Sequence, residues 1–415
     1  MILDICNLFH EYEKITYIVK ILENILKLYY IYKNTSEGEG MKKIISLFMV
    51  ALLSMSIVGC DSGSSDNKDS ATNIKIGAFG PYEGDASVYG VAVRNGIQLA
   101  IDDFNANNTL LGGKVELVSY DTKADPIEAT NAYNKLVDSD EVVAIVGGVT
   151  SGESVAVAQH SQSVGTVMIS PSATALEFAS TGPNVFRACY TDPIQAEALA
   201  KYAISLGHKN IAIIYNSGLD YSIGLKEVFE KTLNDNGITL VASEAYSEGD
   251  TDFNAQLTKI KSANPELIFI PDYYQNATLI AKQVKALGIE ATLMGGDGVD
   301  GILDINKDDT TAIEGFIFSN HYSPEDEVII GWDKKYQEAY NQAPNAFAFL
   351  AYDATNLLIQ AIEKAGTTDQ AKIQEQMQAT NFDGILGHLE FDENGDPKKD
   401  VAFVTIKDGK YATHK

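Results

Sequence analysis

From residue 74 to the C-terminus, short apolar runs alternate with longer stretches in which apolar residues recur every three or four positions. The short runs predict strands buried on both faces, as in parallel sheets, and the longer stretches predict helices that bury one side. Ten runs predict strands, over residues 74–80, 114–121, 142–148, 166–170, 184–190, 210–216, 238–247, 266–272, 291–297 and 315–322.

Four of the intervening stretches show helical spacing most clearly. Their apolar positions are Val93, Ile97, Ile101 and Phe104; Leu225, Val228, Phe229 and Leu233; Phe253, Leu257 and Ile260; and Ile329, Trp332, Tyr336 and Tyr340. Repeated strand–helix units predict doubly wound parallel sheets, and ten strands are too many for one compact sheet. We therefore expect two α/β lobes. The last segment, 387–411, predicts two further strands around an Asn-Gly turn.

The segment before this alternating region has the layout of a secretory signal. Residues 41–59 begin with Met41 and two lysines, continue with an apolar stretch and end in small residues. The apolar part is short for a bilayer span. The tetrad Ile57-Val58-Gly59-Cys60 resembles a bacterial lipobox, with isoleucine where leucine is usual. We expect Cys60 to carry lipid and residues 60–72 to form a flexible tether. The alternative is a buried or free cysteine behind a signal cleaved elsewhere.

Residues 1–40 need a separate interpretation if Met41 is the start. They end in Glu-Gly-Glu-Gly, whose purine-rich codons suit a ribosome-binding site just upstream of Met41. We therefore expect this stretch to be a mis-annotated upstream extension. A genuine amphipathic N-terminal helix is the alternative.

Net charge and the cysteine and histidine content argue against several kinds of partner, disulfide and metal site. The chain has 57 acidic and 31 basic residues, a net charge of −26, which repels nucleic acid and anionic membrane surfaces. Three cysteines, Cys6, Cys60 and Cys189, allow no disulfide within the mature globule, where Cys189 is expected to pack in the core. The histidines are scattered, with no pair at metal-binding spacing. We expect no metal, no cofactor and no nucleic-acid partner.

The stretch GGVTSGES, residues 147–154, raises the question of whether Ser151 is a nucleophile. It does not lie in a G-x-S-x-G elbow, and no base is recognisable for it. GDGVDG, residues 296–301, matches a dinucleotide motif by letter. Its two aspartates would oppose a pyrophosphate, and no clear helix is expected to open at its last glycine. We therefore expect no enzyme activity.

Hydroxyl-rich loops follow two predicted strands of the first half, at the edge where ligands bind in parallel sheets. Thr150-Ser151-Gly152 follows one strand, and Ser172 and Thr174 follow the next; each loop is expected to open a helix. Two helix N-termini that converge would make a cradle for a carboxylate. Simple N-capping is the alternative for either loop alone.

The corresponding loops of the second half carry tyrosines and an acid. Tyr221, Tyr273 and Asp297 each follow a predicted strand, and Tyr89 follows the first strand of the chain. A carboxylate with aromatic walls suits an ammonium group beside an apolar body. Amphipathic packing is the alternative for each tyrosine.

Several segments together resemble the leucine/isoleucine/valine-binding proteins of bacterial ABC importers. They are IKIGAFGPYEGDASVYG, GGVTSGESVAVAQ, MISPSATA, NVFRACYTDPIQ, DTDFNAQLTKIK and MGGDGVDG, and the similarity covers 73–411. The resemblance implies the type I periplasmic binding protein fold, two doubly wound α/β lobes joined by a three-crossover hinge. Lobe one would comprise 73–190 with 322–393, and lobe two 191–321 with 394–415.

The resemblance also assigns roles to single residues. Ser151 matches a serine that binds the ligand carboxylate, and Ser172 matches a position whose backbone carbonyl accepts from the ammonium. Thr174 matches a threonine that touches both ends of the amino acid. Asp297 stands where the family has an acidic ammonium partner, often glutamate, and is shorter.

The aromatic positions around the family's ligand are matched by Tyr89, Tyr221 and Tyr273. The disulfide of some members is impossible here, since Thr150 stands at one of its positions.

The expected function is that of an extracytoplasmic solute-binding lipoprotein, a monomer that captures an amino acid, most simply a branched-chain one, and presents it to the permease subunits of an ABC importer. Its contact with the cell membrane would be the lipid anchor alone, on the periplasmic or outer face. Two alternatives stay open. The same fold could bind a small amide, urea or an aromatic acid, although Asp297 would then be unpaired. A ligand-sensing domain would need an output module, and none follows residue 73.

Overall fold

The computed structural model describes residues 72–415. The predicted upstream extension, the signal segment, Cys60 and the tether up to residue 71 lie outside the described residues. Within 72–415, no helix has both the length and the apolar character that crossing a bilayer requires.

All ten strands predicted from the apolar runs are present, and five of them form the first sheet. Its order is β2-β1-β3-β4-β5 with every pair parallel, and these strands are buried or half-buried along most of their length. The strands are β1 Ile74–Gly80, β2 Val115–Asp121, β3 Ala144–Val146, β4 Met168–Ser170 and β5 Val185–Arg187.

The second sheet has seven strands in the order β14-β13-β10-β9-β8-β6-β7. The five strands from β6 to β10 are parallel, while β13 and β14 add an antiparallel edge. The strands are β6 Ile211–Asn216, β7 Ala242–Tyr246, β8 Leu267–Ile270, β9 Thr292–Gly295, β10 Ile317–Asn320, β13 Ala402–Lys407 and β14 Lys410–Thr413. Two sheets thus divide the chain as the α/β pattern predicts. The exact boundaries of the two lobes stay a prediction.

Eleven α-helices occur within the described part of the chain. They are α1 Ser87–Asn107, α2 Pro126–Asn134, α3 Ser151–Ser161, α4 Asp192–Ser205, α5 Asp220–Asp235, α6 Asn254–Ser262, α7 Tyr274–Ala286, α8 Ile302–Ile305, α9 Glu327–Tyr340, α10 Ala346–Ala365 and α11 Gln370–Gln378. The apolar positions predicted to share a helix face are buried or half-buried, and Trp332 lies in the core at 6% exposure.

Helices α1 and α10 pack along each other at unusually close range. A methyl group at Gly96 on α1 would lie 2.3 Å from the carbonyl oxygen of Ala348 on α10, so only glycine permits this approach. The contact places the start of α10 beside the start of α1. As a result Phe347 stacks on Tyr89, with ring centroids 4.1 Å apart.

The C-terminal strands differ from the prediction of two strands around an Asn-Gly turn. The hairpin is formed by β13 and β14, and it turns at Asp408-Gly409. Both turn residues have positive φ, which two-residue hairpins prefer, and Asp-Gly serves this turn as well as Asn-Gly does. The Asn394-Gly395 turn closes only a single bridge, and the strand before it, β12 Gly387–Leu389, pairs instead with β11 Phe382–Gly384.

The GDGVDG segment also differs in one respect from what the sequence predicts. Helix α8 begins directly after Gly301, whereas the sequence suggested that no clear helix opens there. Gly301 has φ +97°, which explains why glycine stands at this position. The helix has only four residues, and the Asp300 carboxylate accepts hydrogen bonds from the backbone N–H groups of Gly301 and Ala346.

Candidate functional site

The carboxyl ends of the parallel strands from both sheets surround one tight cavity, which has a free volume of about 10 Å³ for the centre of a water-sized sphere. That is room for about one water molecule, so the lining side chains must move apart before a larger molecule can enter. All seven residues that the sequence analysis placed in a binding site line it: Tyr89, Ser151, Ser172, Thr174, Tyr221, Tyr273 and Asp297. Val149, Thr150, Gly298 and Phe347 complete the lining.

The loop between β3 and α3 is held by a buried acid that the sequence analysis did not single out. Glu153 is buried and accepts hydrogen bonds from the backbone N–H groups of Val149 and Thr150, each at 3.0 Å, and from the Thr122 hydroxyl. Ser151 is the first residue of α3, so its own N–H has no intrahelical acceptor. Thr150 and Glu153 form a capping box at this helix N-terminus, and the loop presents Ser151 to the cavity beside it.

The loop after β4 does not open a helix, contrary to the expectation for Ser172 and Thr174. Only a short 3₁₀ turn, Ala179–Thr181, follows it. The Ser170 hydroxyl accepts from the N–H groups of Ser172 and Ala173, and this competes with helix formation. The Ser172 hydroxyl donates to the Val149 carbonyl at 2.8 Å, tying the two loops together. The cradle thus has one helix N-terminus and not two.

Arg187 binds the backbone of the same loop. The side chain is fully buried at the end of β5, and its Nη1 donates to the carbonyl oxygens of Ala173 and Ala175, both at 2.8 Å. Its Nε forms an ion pair with Asp396, in the segment that leads to β13. The backbone on both sides of Thr174 is therefore held by one guanidinium group.

Ser151 is placed as a hydrogen-bonding group. Its hydroxyl oxygen accepts from the Ala175 N–H at 3.3 Å, and the side chain is 2% exposed. Neither this contact nor its neighbours Thr150 and Ser172 supply a base that could remove its proton. The arrangement suits the donation of hydrogen bonds to an anionic group.

Asp297 is the only acid in the cavity lining, and three neutral donors hold it. Gln195 Nε2 and the Tyr221 hydroxyl donate to its Oδ1 at 3.0 and 2.9 Å, and His321 Nε2 lies 3.1 Å from its Oδ2. Burial lowers the pKa of His321, so the ring is neutral near pH 7 and donates from Nε2. The carboxylate is thus oriented without being neutralised, and its charge is available to a cation in the cavity.

Aromatic rings form the remaining wall. Tyr221 and Tyr273 stack with centroids 5.1 Å apart, and Tyr273 meets the edge of Tyr89 at 5.5 Å. Phe347 stacks on the other face of Tyr89. Burial raises the pKa values of Tyr89, Tyr221 and Tyr273, so their hydroxyls stay protonated. The wall offers an apolar, uncharged surface.

Each sheet forms one side of the cavity, and Tyr89 joins the two sides. Its hydroxyl donates to the Gly298 carbonyl and accepts from the Tyr274 N–H at 3.1 Å. The Tyr274 hydroxyl donates in return to the Asp85 carbonyl at 2.6 Å. These bonds join the loop after β1 to the loops after β8 and β9, and so describe a closed arrangement.

Besides Glu153 and Arg187, sequence reasoning missed four residues with a part in the site. Asp192 begins α4 two residues after the predicted strand 184–190, so the strand-end rule would have found it. Gln195 lies one turn into that helix, where the rule does not reach. His321 directly follows β10, so that rule would have found it. Phe347 lies inside an amphipathic helix, and nothing in its local pattern distinguishes it from a core residue.

The geometry defines a small cavity with two poles. Hydroxyls and one helix N-terminus lie on one side, a single carboxylate lies on the other, and aromatic rings lie between them. Such a site complements a small molecule that has an anionic end, a cationic end and an apolar body. Among residues 72–415, no group of three or more acidic, histidine or cysteine side chains could hold a metal ion.

Comparison with known proteins gives one family. The family model described as periplasmic binding protein matches residues 73–410. The Leu/Ile/Val-binding protein BraC3 of Rhizobium johnstonii is 35% identical over 335 residues, which are 78% of this chain and 89% of that protein. A leucine-, isoleucine-, valine-, threonine- and alanine-binding protein of Pseudomonas aeruginosa is 33% identical over 87% of this chain and 94% of its own length.

Solved structures agree with this similarity. The leucine-binding protein LivK of Thermotoga maritima superposes with a TM-score of 0.77 at 34% identity, covering 82% of this chain and 98% of that one. The branched-chain amino acid transporter substrate-binding protein LivJ of Streptococcus pneumoniae, in complex with isoleucine, also has a TM-score of 0.77. It is 29% identical and covers 83% of this chain and 100% of its own.

Proposed function

Since the chain belongs to the periplasmic binding protein family, we propose that its ligand is a branched-chain aliphatic amino acid that it delivers to an ABC importer. The protein is a solute binder that works outside the cytoplasm, and it is not an enzyme. The relatives named for leucine, isoleucine and valine support the ligand class.

The observation that carries the proposal is the separation of charge in the cavity. Ser151, Thr174 and the N-terminus of α3 would bind the ligand carboxylate, because all are neutral or partly positive donors. Asp297 would bind the ammonium group, and Ser172 would add its backbone carbonyl. Tyr89, Tyr221 and Tyr273 would enclose an apolar side chain.

Capture would involve closure of two lobes, 73–190 with 322–393 and 191–321 with 394–415. The bonds from Tyr89 to Gly298 and from Tyr274 to Asp85 support this, since they form only when the loops of the two sheets meet. A ligand that contacts both sides favours the closed state by its differential affinity.

The way in which the protein is attached to the membrane is proposed from the sequence. A lipid on Cys60 and a polar tether would hold a monomeric globule at the extracytoplasmic face, within reach of the importer's permease subunits. The net charge of −26 keeps the globule itself away from anionic lipid.

A thermal-shift screen against the twenty L-amino acids tests the ligand class. The purified chain is first freed of carried-over ligand by partial unfolding and refolding. At 100 times its dissociation constant a ligand stabilises the folded state by about 2.7 kcal/mol, so the midpoint should rise by about 5 °C for leucine, isoleucine and valine. Unchanged midpoints with all twenty would contradict the proposal and turn the search to amides, urea and aromatic acids.

A further inference from the structure

Behind the cavity, two buried carboxyl groups share a single donor. Gln195 Nε2 lies 3.0 Å from an oxygen of Asp192 and 3.0 Å from an oxygen of Asp297, so these oxygens are at most about 6 Å apart. The two aspartates are 3% and 4% exposed. The Gln195 amide is fixed in this orientation, because its Oε1 accepts from the Asp297 N–H at 3.1 Å and from the Ser319 hydroxyl at 2.8 Å.

No fixed positive charge contacts either acid. Within residues 72–415, no lysine or arginine nitrogen lies within 4.0 Å of Asp192 or Asp297, and the one nearby ring, His321, is kept neutral by burial. Arg187 lowers the pKa of Asp192 only from a distance, since its donors are taken by Ala173, Ala175 and Asp396. Two negative charges so close together in a dry site repel strongly.

We infer that Asp192 keeps a proton before ligand capture, because the charge of Asp297 lies close to it. Asp192 releases this proton to solvent when a cationic group of the ligand reaches Asp297. The carboxyl O–H bond breaks, the proton passes to buffer, and the ligand's positive charge takes over its role. This inference rests on the proposed function, because it requires an ammonium group on the ligand. Asp192 thereby becomes a positioning residue that makes affinity depend on pH.

The surroundings of the pair favour a retained proton. Burial first, and then the charge of Asp297, raise the pKa of Asp192 to about 7, against hydrogen bonds from Thr174 and Gln195. The other titratable groups facing it are the hydroxyls of Tyr190, Tyr221 and Tyr273, all protonated because burial raises their pKa values. The proton lies on Asp192, and a cation at Asp297 would offset the negative charge that favours it.

The consequence is a measurable proton release. A group with a pKa near 7 is half protonated at pH 7, so binding should release about half a proton there and about 0.1 at pH 8. The apparent affinity should fall about tenfold from pH 8 to pH 6, since the proton must first be displaced at the lower pH.

Isothermal titration calorimetry with L-leucine in phosphate and in Tris at pH 7 measures this release. The two buffers differ in ionisation enthalpy, so a released proton makes the observed enthalpy differ between them. Asp192→Asn should abolish the difference and reduce the change in affinity between pH 6 and pH 8 to less than twofold. Asp308→Asn, which removes an exposed acid, should leave both unchanged.

The outcomes separate the two proposals. Binding with the same enthalpy in both buffers would overturn the proton on Asp192 while leaving the amino-acid ligand intact. Proton release that persists in Asp192→Asn would overturn the assignment to Asp192. If no amino acid binds, the proposed function itself fails. The wild-type titrations in the two buffers show whether binding releases a proton, even where Asp192→Asn does not fold.

Discussion

Replacing Asp297 with asparagine is expected to weaken leucine binding by about 100-fold or more. The substitution keeps the size of the side chain but removes the only negative charge in the cavity lining. It also places an amide N–H₂ group among Gln195, Tyr221 and His321, which all donate to the present carboxylate. Loss of one partner of a buried, hydrogen-bonded charge pair costs about 2–5 kcal/mol of binding free energy.

Two further variants separate charge from packing at this position. Asp297→Glu keeps the negative charge on a longer side chain and should lose much less affinity than Asp297→Asn. Asp308→Asn changes the net charge equally at an exposed site and should bind leucine as the wild type does. Dissociation constants come from calorimetry, with unliganded thermal midpoints as the check on folding. Leucine bound by Asp297→Asn within threefold of wild type would disprove the role of Asp297.

Arg187→Met should produce the largest loss of stability, about 3–5 kcal/mol in the free energy of unfolding. Arg187 is fully buried, and its removal leaves Asp396 without its cation. Breaking a buried ion pair from one side is costly, because the remaining charge is uncompensated. The carbonyl oxygens of Ala173 and Ala175 also lose their donor, so the loop that carries Thr174 loses its support.

Chemical denaturation followed by far-UV circular dichroism measures this loss. Lys201→Met is the matched control, since it removes a cation from an exposed pair with Glu197 and should not change stability measurably. Arg187→Lys keeps the charge but not the planar fork of donors, and should fall between the wild type and Arg187→Met. A loss below about 1 kcal/mol for Arg187→Met would contradict the structural role of the pair.

The sequence was most informative where one local rule sufficed. Apolar runs located all ten strands of the parallel core, because strands buried on both faces differ sharply from their flanking turns. The rule that ligands lie at the carboxyl ends of such strands placed Ser151, Tyr221 and Asp297 around one cavity.

Errors arose where two local signals competed. Asn394-Gly395 and Asp408-Gly409 are both good hairpin turns, and only tertiary pairing selects the second. The 171–176 loop has the composition of a helix start, yet Ser170 and Arg187 bind its backbone groups first. Neither choice can be made within a short window of sequence.

Gln195 and Phe347 could not be found from local pattern. Gln195 reaches Asp297 across 102 positions of sequence, from the start of a helix that follows the first sheet. Phe347 reaches Tyr89 because Gly96 allows two helices to approach closely. Such contacts depend on how the elements pack, which an amphipathic pattern does not specify.

The most direct test of the two-pole site compares leucine with analogues that lack one charged group. 4-Methylpentanoate has no amino group, and 3-methylbutylamine has no carboxylate. Calorimetry should show leucine binding at least about 100-fold more tightly than either analogue, since each leaves a buried polar pole of the cavity unpaired. Equal binding of 4-methylpentanoate and leucine would contradict the account and indicate a site for simple organic anions.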